Sequence, residues 1–260
     1  MRLEMSDVSF GYSSGENVLR GVNLDIEGPG LICIVGPNGV GKSTLVKMLC
    51  KILKPTSGTI KIDGKDVSRM SVKEMAGYVG YVPPFTQDFF SMTVVDSILI
   101  GRHNRQKWRN TDDDIRVAYK AMRLLGVEKF AMRAFNELSA GQHQKVAIAR
   151  GIVEETPILV LDEPTSNLDA RHQVFVIEML RALAMSDGKL IIMISHDLNL
   201  AAKYAHKVVL MSEPGVIREV GAPEDVITRN SVMEVYGVDC EVVDFRGHPL
   251  VVLGSALERS

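Results

Sequence analysis

The run Gly36-Pro37-Asn38-Gly39-Val40-Gly41-Lys42-Ser43-Thr44 brings three chemical capabilities together. From Gly36 to Ser43 it satisfies G-x-x-x-x-G-K-[ST] without a mismatch. Glycines let the backbone wrap closely, so successive N–H groups point inward at anionic oxygens. Lys42 adds a positive charge that reaches β- and γ-phosphates, and the Ser43 hydroxyl can ligate Mg2+. A glycine-rich turn that merely caps a helix, with Lys42 solvated, is the plainer alternative. The flanks weigh against it. Leu31-Ile32-Cys33-Ile34-Val35 is a continuous apolar run that suits a strand buried on both faces. Leu45, Met48, Leu49 and Ile52 then recur at helical spacing. Strand, glycine loop and helix in that order put a helix N-terminus against the bound charge.

Two further strand ends carry groups of the same chemistry. Ile158-Leu159-Val160-Leu161 runs into Asp162-Glu163. Burying unpaired carboxylates is unfavourable, so acids at a strand tip meet water, a metal or a cation. Open α/β sheets bind ligands at the carboxyl ends of their strands, where the phosphate loop also lies. Asp162 is therefore placed to hold Mg2+, and Glu163 to polarise a water that attacks the γ-phosphate. The bland alternative is a loop that simply starts with two acids before Pro164. Leu190-Ile191-Ile192-Met193-Ile194 ends likewise in Ser195-His196-Asp197. His196 either contacts the γ-phosphate and orients the attacking water, or caps the helix that follows.

The elements that must position these groups alternate along the chain. Two strands, Leu3 to Phe10 and Val18 to Ile26, flank a Gly/Ser-rich turn from Gly11 to Gly15. Strands are expected at Thr59 to Ile62, Tyr78 to Val82, Ile158 to Leu161, Leu190 to Ile194 and Val208 to Met211. Helices are expected at Asp112 to Leu125, Ala140 to Glu154, Ala170 to Met185 and Leu198 to Tyr204. Such alternation predicts an α/β fold with a mainly parallel sheet covered on both sides. The stretch from about 85 to 155 lacks a strong strand and reads as an inserted helical subdomain. After 222 the pattern changes to a short helix near Val232 to Tyr236 and two weak strands, Val242 to Phe245 and Leu250 to Leu253. The expected division is thus a domain over 1–222 and a small appendage over 223–260.

Composition excludes some classes. With 30 basic against 32 acidic residues the net charge is −2, which argues against a nucleic-acid-coating role. The basic run from Arg102 to Arg109 is followed at once by Asp112, Asp113 and Asp114, so a solvated loop is expected there. Cys33, Cys50 and Cys240 have no C-x-x-C spacing and read as small core residues rather than metal ligands. The segment Met1-Arg2-Leu3-Glu4 lacks the apolar stretch of a signal peptide, and no window is apolar over the ~18 residues of a membrane span. Any membrane function is expected to require docking onto another chain.

Leu138-Ser139-Ala140-Gly141-Gln142 narrows the field. Ser139 with Gln142 makes an ordinary capping box, and a helix N-terminus is also an anion site. The segment resembles the L-S-G-G-Q signature of ATP-binding cassette (ABC) ATPases, with Ala140 in place of the first glycine. Asp162-Glu163 resembles that family's Walker B end, Ser166-Asn167-Leu168-Asp169 its D-loop, His196 its switch histidine and Tyr12 its adenine-stacking aromatic. Motif order and spacing agree from Tyr12 to His196. The resemblance implies a P-loop NTPase core with an N-terminal antiparallel β-subdomain and a helical insert. It implies MgATP hydrolysis by a head-to-tail homodimer. One subunit's Gly36–Thr44 loop would face the partner's Ser139, Gly141 and Gln142, with Asp169 at the same junction.

Within the family, Met92-Thr93-Val94 through Gly101-Arg102, the run Ser195 to Ala202, and Pro223, Glu224, Val226 and Val235 to Val238 resemble importers of iron–siderophore complexes, haem and cobalamin. That implies transmembrane permease subunits as partners, a substrate-binding protein acting indirectly, and a place on the cytoplasmic face of a membrane. One position departs from the pattern. Where the family carries a metal-contacting glutamine after Val-Pro, this chain has Val82-Pro83-Pro84, and Gln87 is the available substitute. A soluble ABC ATPase serving, for instance, iron–sulfur assembly shares every catalytic motif; a nucleotide-gated binding module with little turnover suits Pro84. A kinase or GTPase uses neither 138–142 nor 166–169. Lys42→Ala is expected to lose nucleotide affinity in an equilibrium binding titration; unchanged binding would refute the phosphate-loop assignment.

Overall fold

Alternate residues of the central apolar run enter two different cores, and the rest of the fold is arranged around that division. The computed structural model describes residues 1–12, 17–84, 92–105 and 111–256. Strands β1 (Arg2–Gly11), β2 (Asn17–Glu27) and β3 (Gly30–Val35) lead to helix α1 (Lys42–Leu49), then to β4 (Ser57–Ile62) and β5 (Lys65–Asp66). Next come α2 (Val72–Tyr78), β6 (Val79–Val82), α3 (Val94–Leu99), α4 (Asp112–Leu125) and α5 (Ala140–Val153). The chain continues through β7 (Ile158–Leu161), α6 (Ala170–Ser186), β8 (Leu190–Ile194), α7 (Leu198–Tyr204), β9 (Lys207–Ser212) and β10 (Val216–Gly221). It closes with α8 (Pro223–Val226), α9 (Arg229–Tyr236), β11 (Val238–Asp244) and β12 (Pro249–Ala256).

Six strands form one sheet in the order β10-β9-β3-β8-β7-β6, parallel throughout except for the edge strand β10. β2-β1-β4-β5 form a separate antiparallel sheet, and β11 pairs with β12 as a hairpin. Leu31, Cys33 and Val35 of β3 pack with α3 to α7, whereas Ile32 and Ile34 pack with α1 and the antiparallel sheet. β7 and β8 divide in the same way, with Leu159, Leu161, Ile191 and Met193 on one side and Ile158, Val160, Ile192 and Ile194 on the other. A strand buried on both faces has no polar alternation to show, which is why these segments are apolar runs.

The expected bounds of α4, α7, β7 and β8 coincide with those observed. α2, α3 and β10 were not expected. The first two are single or double turns, too short for a helical period to register. Their starts are nevertheless written in the sequence: Ser71 and Glu74 cap each other reciprocally, and the Thr93 hydroxyl accepts from the Asp96 N–H. The Gly11 to Gly15 turn is described only as far as residue 12. Cys33 and Cys240 are buried and Cys50 is half-buried, all three as free thiols; desolvation pushes Cys33 up to about 12 and leaves it inert. Among the described residues no helix is long and apolar enough to cross a membrane.

The solvated-loop expectation fails at Arg102. Its side chain is buried, with Nε 2.8 Å from Asp114 Oδ1 and Nη1 2.8 Å from the Val153 carbonyl oxygen and 2.5 Å from Glu155 Oε2. Asp114 also accepts from the Thr111 N–H and hydroxyl at the start of α4. The guanidinium therefore ties the end of α5 to the beginning of α4, and the acids that suggested a solvated run are its partners. Removing one member of a buried pair leaves the other charge uncompensated. Arg102→Met is expected to destabilise the protein by about 3 kcal/mol in urea unfolding; a change within experimental error would show that the pair is dispensable.

Candidate functional site

β3, β8 and β7 are neighbours, and each ends within one residue of the next: Ile34 pairs with Ile194, and Met193 pairs with Leu161. Each strand then releases its polar segment on the same edge, Gly36 onward, Ser195-His196 and Asp162-Glu163. Three stretches far apart in sequence thus meet in one place. The cleft they form has a volume of about 390 Å³ and is lined by Tyr12, Asn38, Lys42, Ser43, Glu163 and His196 among others.

The loop after β3 requires glycine twice for physical reasons. A Cβ on Gly36 would lie 2.4 Å from the Met211 carbonyl oxygen, so β9 leaves no room for a side chain. Gly41 has φ 95°, and a Cβ there would meet Leu19 Cδ2 at 2.7 Å. Gly41 is also the residue preceding α1, which has no side-chain cap. The helix therefore presents its first N–H groups to the cleft without an internal acceptor, the arrangement that suits an anion. Lys42 Nζ donates to the carbonyl oxygens of Gly36 and Pro37, each at 2.7 Å. Burial lowers the lysine's pKa, while Glu163 and Asp162 oppose that shift.

Ser43 Oγ donates to Asp162 Oδ1 at 3.2 Å, and the Tyr81 hydroxyl donates to Oδ2 at 3.4 Å. Asp162 is 1% exposed, and desolvation raises its pKa despite both hydrogen bonds. Glu163 adopts φ 54°, a strained conformation for a non-glycine residue, and meets His196 Nε2 at 2.5 Å through Oε1. The helix after β8 is capped by Asp197, whose Oδ1 accepts from Asn199 and Leu200, and not by His196. Tyr12 stands half-exposed at the rim of the cleft, its ring edge-on to Phe10 at 4.9 Å.

Ser139, Gly141, Gln142 and Asp169 are not brought to this cleft. They line a separate one with Lys145, Asn167 and His172. Ser139 and Gln142 form the expected capping box, at 2.9 and 3.4 Å. Asp169 caps α6 through the His172 N–H at 2.9 Å. A Cβ on Gly141 would make only ordinary contacts, the nearest 3.4 Å from Leu168. Gln87 lies outside the described residues. Two contributors were missed. Tyr81 was hidden in a strand, although its place next to Val82-Pro83-Pro84 could have signalled it; Val18, which lines the cleft, carries no sequence signal.

Residues 19–166, more than half of the chain, match the family described as ABC transporter. The chain belongs to the ABC transporter family. It is an ATP-binding cassette ATPase. An ABC transporter ATP-binding protein of Methanocaldococcus jannaschii, itself uncharacterised, is 42% identical over 97% of this chain and 98% of its own length. The ferric enterobactin transport ATP-binding protein of Escherichia coli is 32% identical over 96% of this chain and 93% of its own. A dimeric ATP-binding cassette solved in a post-hydrolysis state with ADP and phosphate superposes with a TM-score of 0.76 at 26% identity. It covers 85% of this chain and 98% of that one. The P-loop core with its parallel sheet and antiparallel N-terminal sheet is the fold of this ABC family.

Asp162 gives this cassette a pH signature. Its folded pKa is raised above the ordinary 3.8, so the native state keeps a proton that the unfolded chain has already lost. Stability therefore falls as pH climbs from 3.8 through the raised folded value. Without nucleotide or metal, Asp162→Asn is expected to raise the thermal midpoint at neutral pH, with the gain shrinking as pH approaches 3.8. A lower midpoint at neutral pH would mean that the carboxylate's contacts outweigh its burial.

Proposed function

We propose that this cassette hydrolyses MgATP to power import of a metal chelate, such as a ferric siderophore or haem, or a corrinoid. The observation that carries the reading is the meeting of the phosphate loop, the Asp162-Glu163 tip and His196 at one sheet edge. ATP would lie with its adenine on Tyr12 and its phosphates against the N–H groups from Gly36 to Thr44. Lys42 would exchange its loop carbonyls for β- and γ-phosphate oxygens.

The donor set fits Mg2+. A hydroxyl and a carboxylate converge in Ser43 and Asp162, and among the described residues no three metal-binding side chains cluster. This ion keeps several waters and takes one or two protein oxygens beside phosphate. Ser43 and Asp162 would hold it, and it would neutralise charge on the phosphates. Glu163 polarises a water, which attacks the γ-phosphorus as the bond to the β-γ bridging oxygen breaks; ADP and inorganic phosphate result. His196 holds Glu163 and stands beside the γ-phosphate.

Two copies are proposed to face each other head to tail. Ser139, Gly141 and Gln142 of one would close over the triphosphate of the other, with Asp169 at the junction. Two facts support this: the two residue sets line different clefts within one chain, and among the described residues nothing demands glycine at 141. ATP then favours the dimer by contacts that hydrolysis removes. Permease subunits would receive the motion, placing the protein on the cytoplasmic face of the membrane, with a substrate-binding protein supplying cargo indirectly. The likeness to the enterobactin transport protein supports this class of cargo.

Pro84 favours a second reading, a nucleotide-gated binding module with little turnover, because proline offers no side-chain oxygen to metal. Steady-state phosphate release separates the two. Co-purification with a polytopic membrane protein that stimulates hydrolysis separates the importer from a soluble cassette ATPase. Glu163→Gln is expected to keep ATP binding, slow phosphate release by about 100-fold or more, and accumulate dimer in size-exclusion chromatography with ATP. Turnover at the unmodified rate would remove Glu163 from the mechanism.

A further inference from the structure

Asn199 belongs to the run Ser195 to Ala202, yet no step at the nucleotide uses it. Its side chain reaches β12. Asn199 Oδ1 accepts from the Val251 N–H at 2.7 Å, and Nδ2 donates to the Val251 carbonyl oxygen at 3.2 Å. This is a complete exchange: one amide side chain satisfies both backbone groups of a strand residue. Val251 itself is buried, and its outer edge would otherwise carry an unpaired N–H and C=O.

The same residue is joined to the histidine turn. The Asn199 N–H donates to Asp197 Oδ1 at 2.8 Å. The Asp197 N–H in turn donates to Ser195 Oγ at 3.1 Å, and that hydroxyl donates back to the Asp197 carbonyl at 3.2 Å. His196 sits between these two anchored residues. Its own side chain is 43% exposed and is held by Glu163. With little packing around the ring, the backbone of the turn together with the Glu163 contact sets where the imidazole lies.

A second feature ties the C-terminal segment to the histidine turn. The Tyr236 hydroxyl, at the end of α9, is buried with no hydrogen-bond partner among the described residues. Burial raises its pKa, and the Gly36 amide nearby opposes that shift. Tyr236, Val251 and Leu253 share a cleft of about 520 Å³ with His196, Asp197 and Asn199. The residues after 222 thus line one cleft with the turn that carries His196.

We propose that Asn199 is a positioning residue for His196, and that the hairpin β11-β12 acts through it as an ordering strut for the histidine turn. The proposal rests on the assignment of His196 to the ATPase site. A hairpin held against α7 fixes the first turn of that helix, and with it the direction in which His196 leaves β8. Displacing the hairpin would free the turn and slow hydrolysis without removing any group that touches nucleotide. The appendage is then a point at which turnover can be controlled from outside the active site.

The test breaks the link from either side in the full chain. Asn199→Ala removes the amide. Val251→Pro removes the N–H that Asn199 accepts, at an outer strand edge where proline is tolerated. Both variants are expected to lower kcat by about tenfold while leaving the ATP dissociation constant within about twofold, because geometry is lost and binding groups are not. Hydrogen exchange over 196–200 should accelerate in both. In a His196→Ala background neither should lower kcat further, since the effect travels through the missing ring. Unchanged kcat with a lowered thermal midpoint would reduce the link to an anchor for the hairpin and overturn the proposal. So would losses that multiply in the His196→Ala background. If His196→Ala alone turns over at the unmodified rate, the assignment of His196 fails as well; if His196→Ala is slow and Asn199→Ala is not, only the strut fails.

Discussion

Burial of β3, β7 and β8 on both faces leaves polar chemistry one place to enter the core sheet, the ends of its strands. Every residue in the interior of these strands faces one of two apolar clusters. Their termination within a residue of one another then concentrates the glycine loop, Glu163 and His196 in one cleft, with Asp162 beside it on Ser43. The site follows from the packing of the sheet as much as from the residues that decorate it.

At that edge, stability and function pull in opposite directions. Asp162 is buried enough for desolvation to raise its pKa, and Lys42 is buried enough for desolvation to lower its own. Each group is held in a medium that disfavours its charge, with only neighbours to compensate. Glu163 adds backbone strain to the same few residues. A divalent cation and a polyphosphate would relieve both charges together, which gives the proposed ligand a physical reason to stabilise the fold.

The capping of α5 and α6 has a different logic. Ser139, Gln142 and Asp169 complete the local needs of their own helices. That self-sufficiency allows the surface to stand ready in one chain and, in the proposed dimer, to serve a nucleotide held by another. By contrast α1 begins with no side-chain cap and presents N–H groups. One helix start is closed by its own sequence and the other is open to a ligand.

Local chemistry was legible in the sequence because it is encoded within short spans. The glycine-lysine-serine spacing, the apolar runs of β7 and β8, and the Ser139–Gln142 box depend on neighbours at most a few residues away. What the sequence could not order was contact across long separations. Arg102 reads as a surface base until Asp114 and Glu155 are seen to enclose it. Tyr81 reads as a strand residue until its hydroxyl meets Asp162, and Asn199 as part of a helix start until β12 arrives beside it. Periodicity and turn chemistry report on the backbone's local preferences; the partners of a buried polar group are set by how sheets and helices stack, and only the tertiary structure decides that.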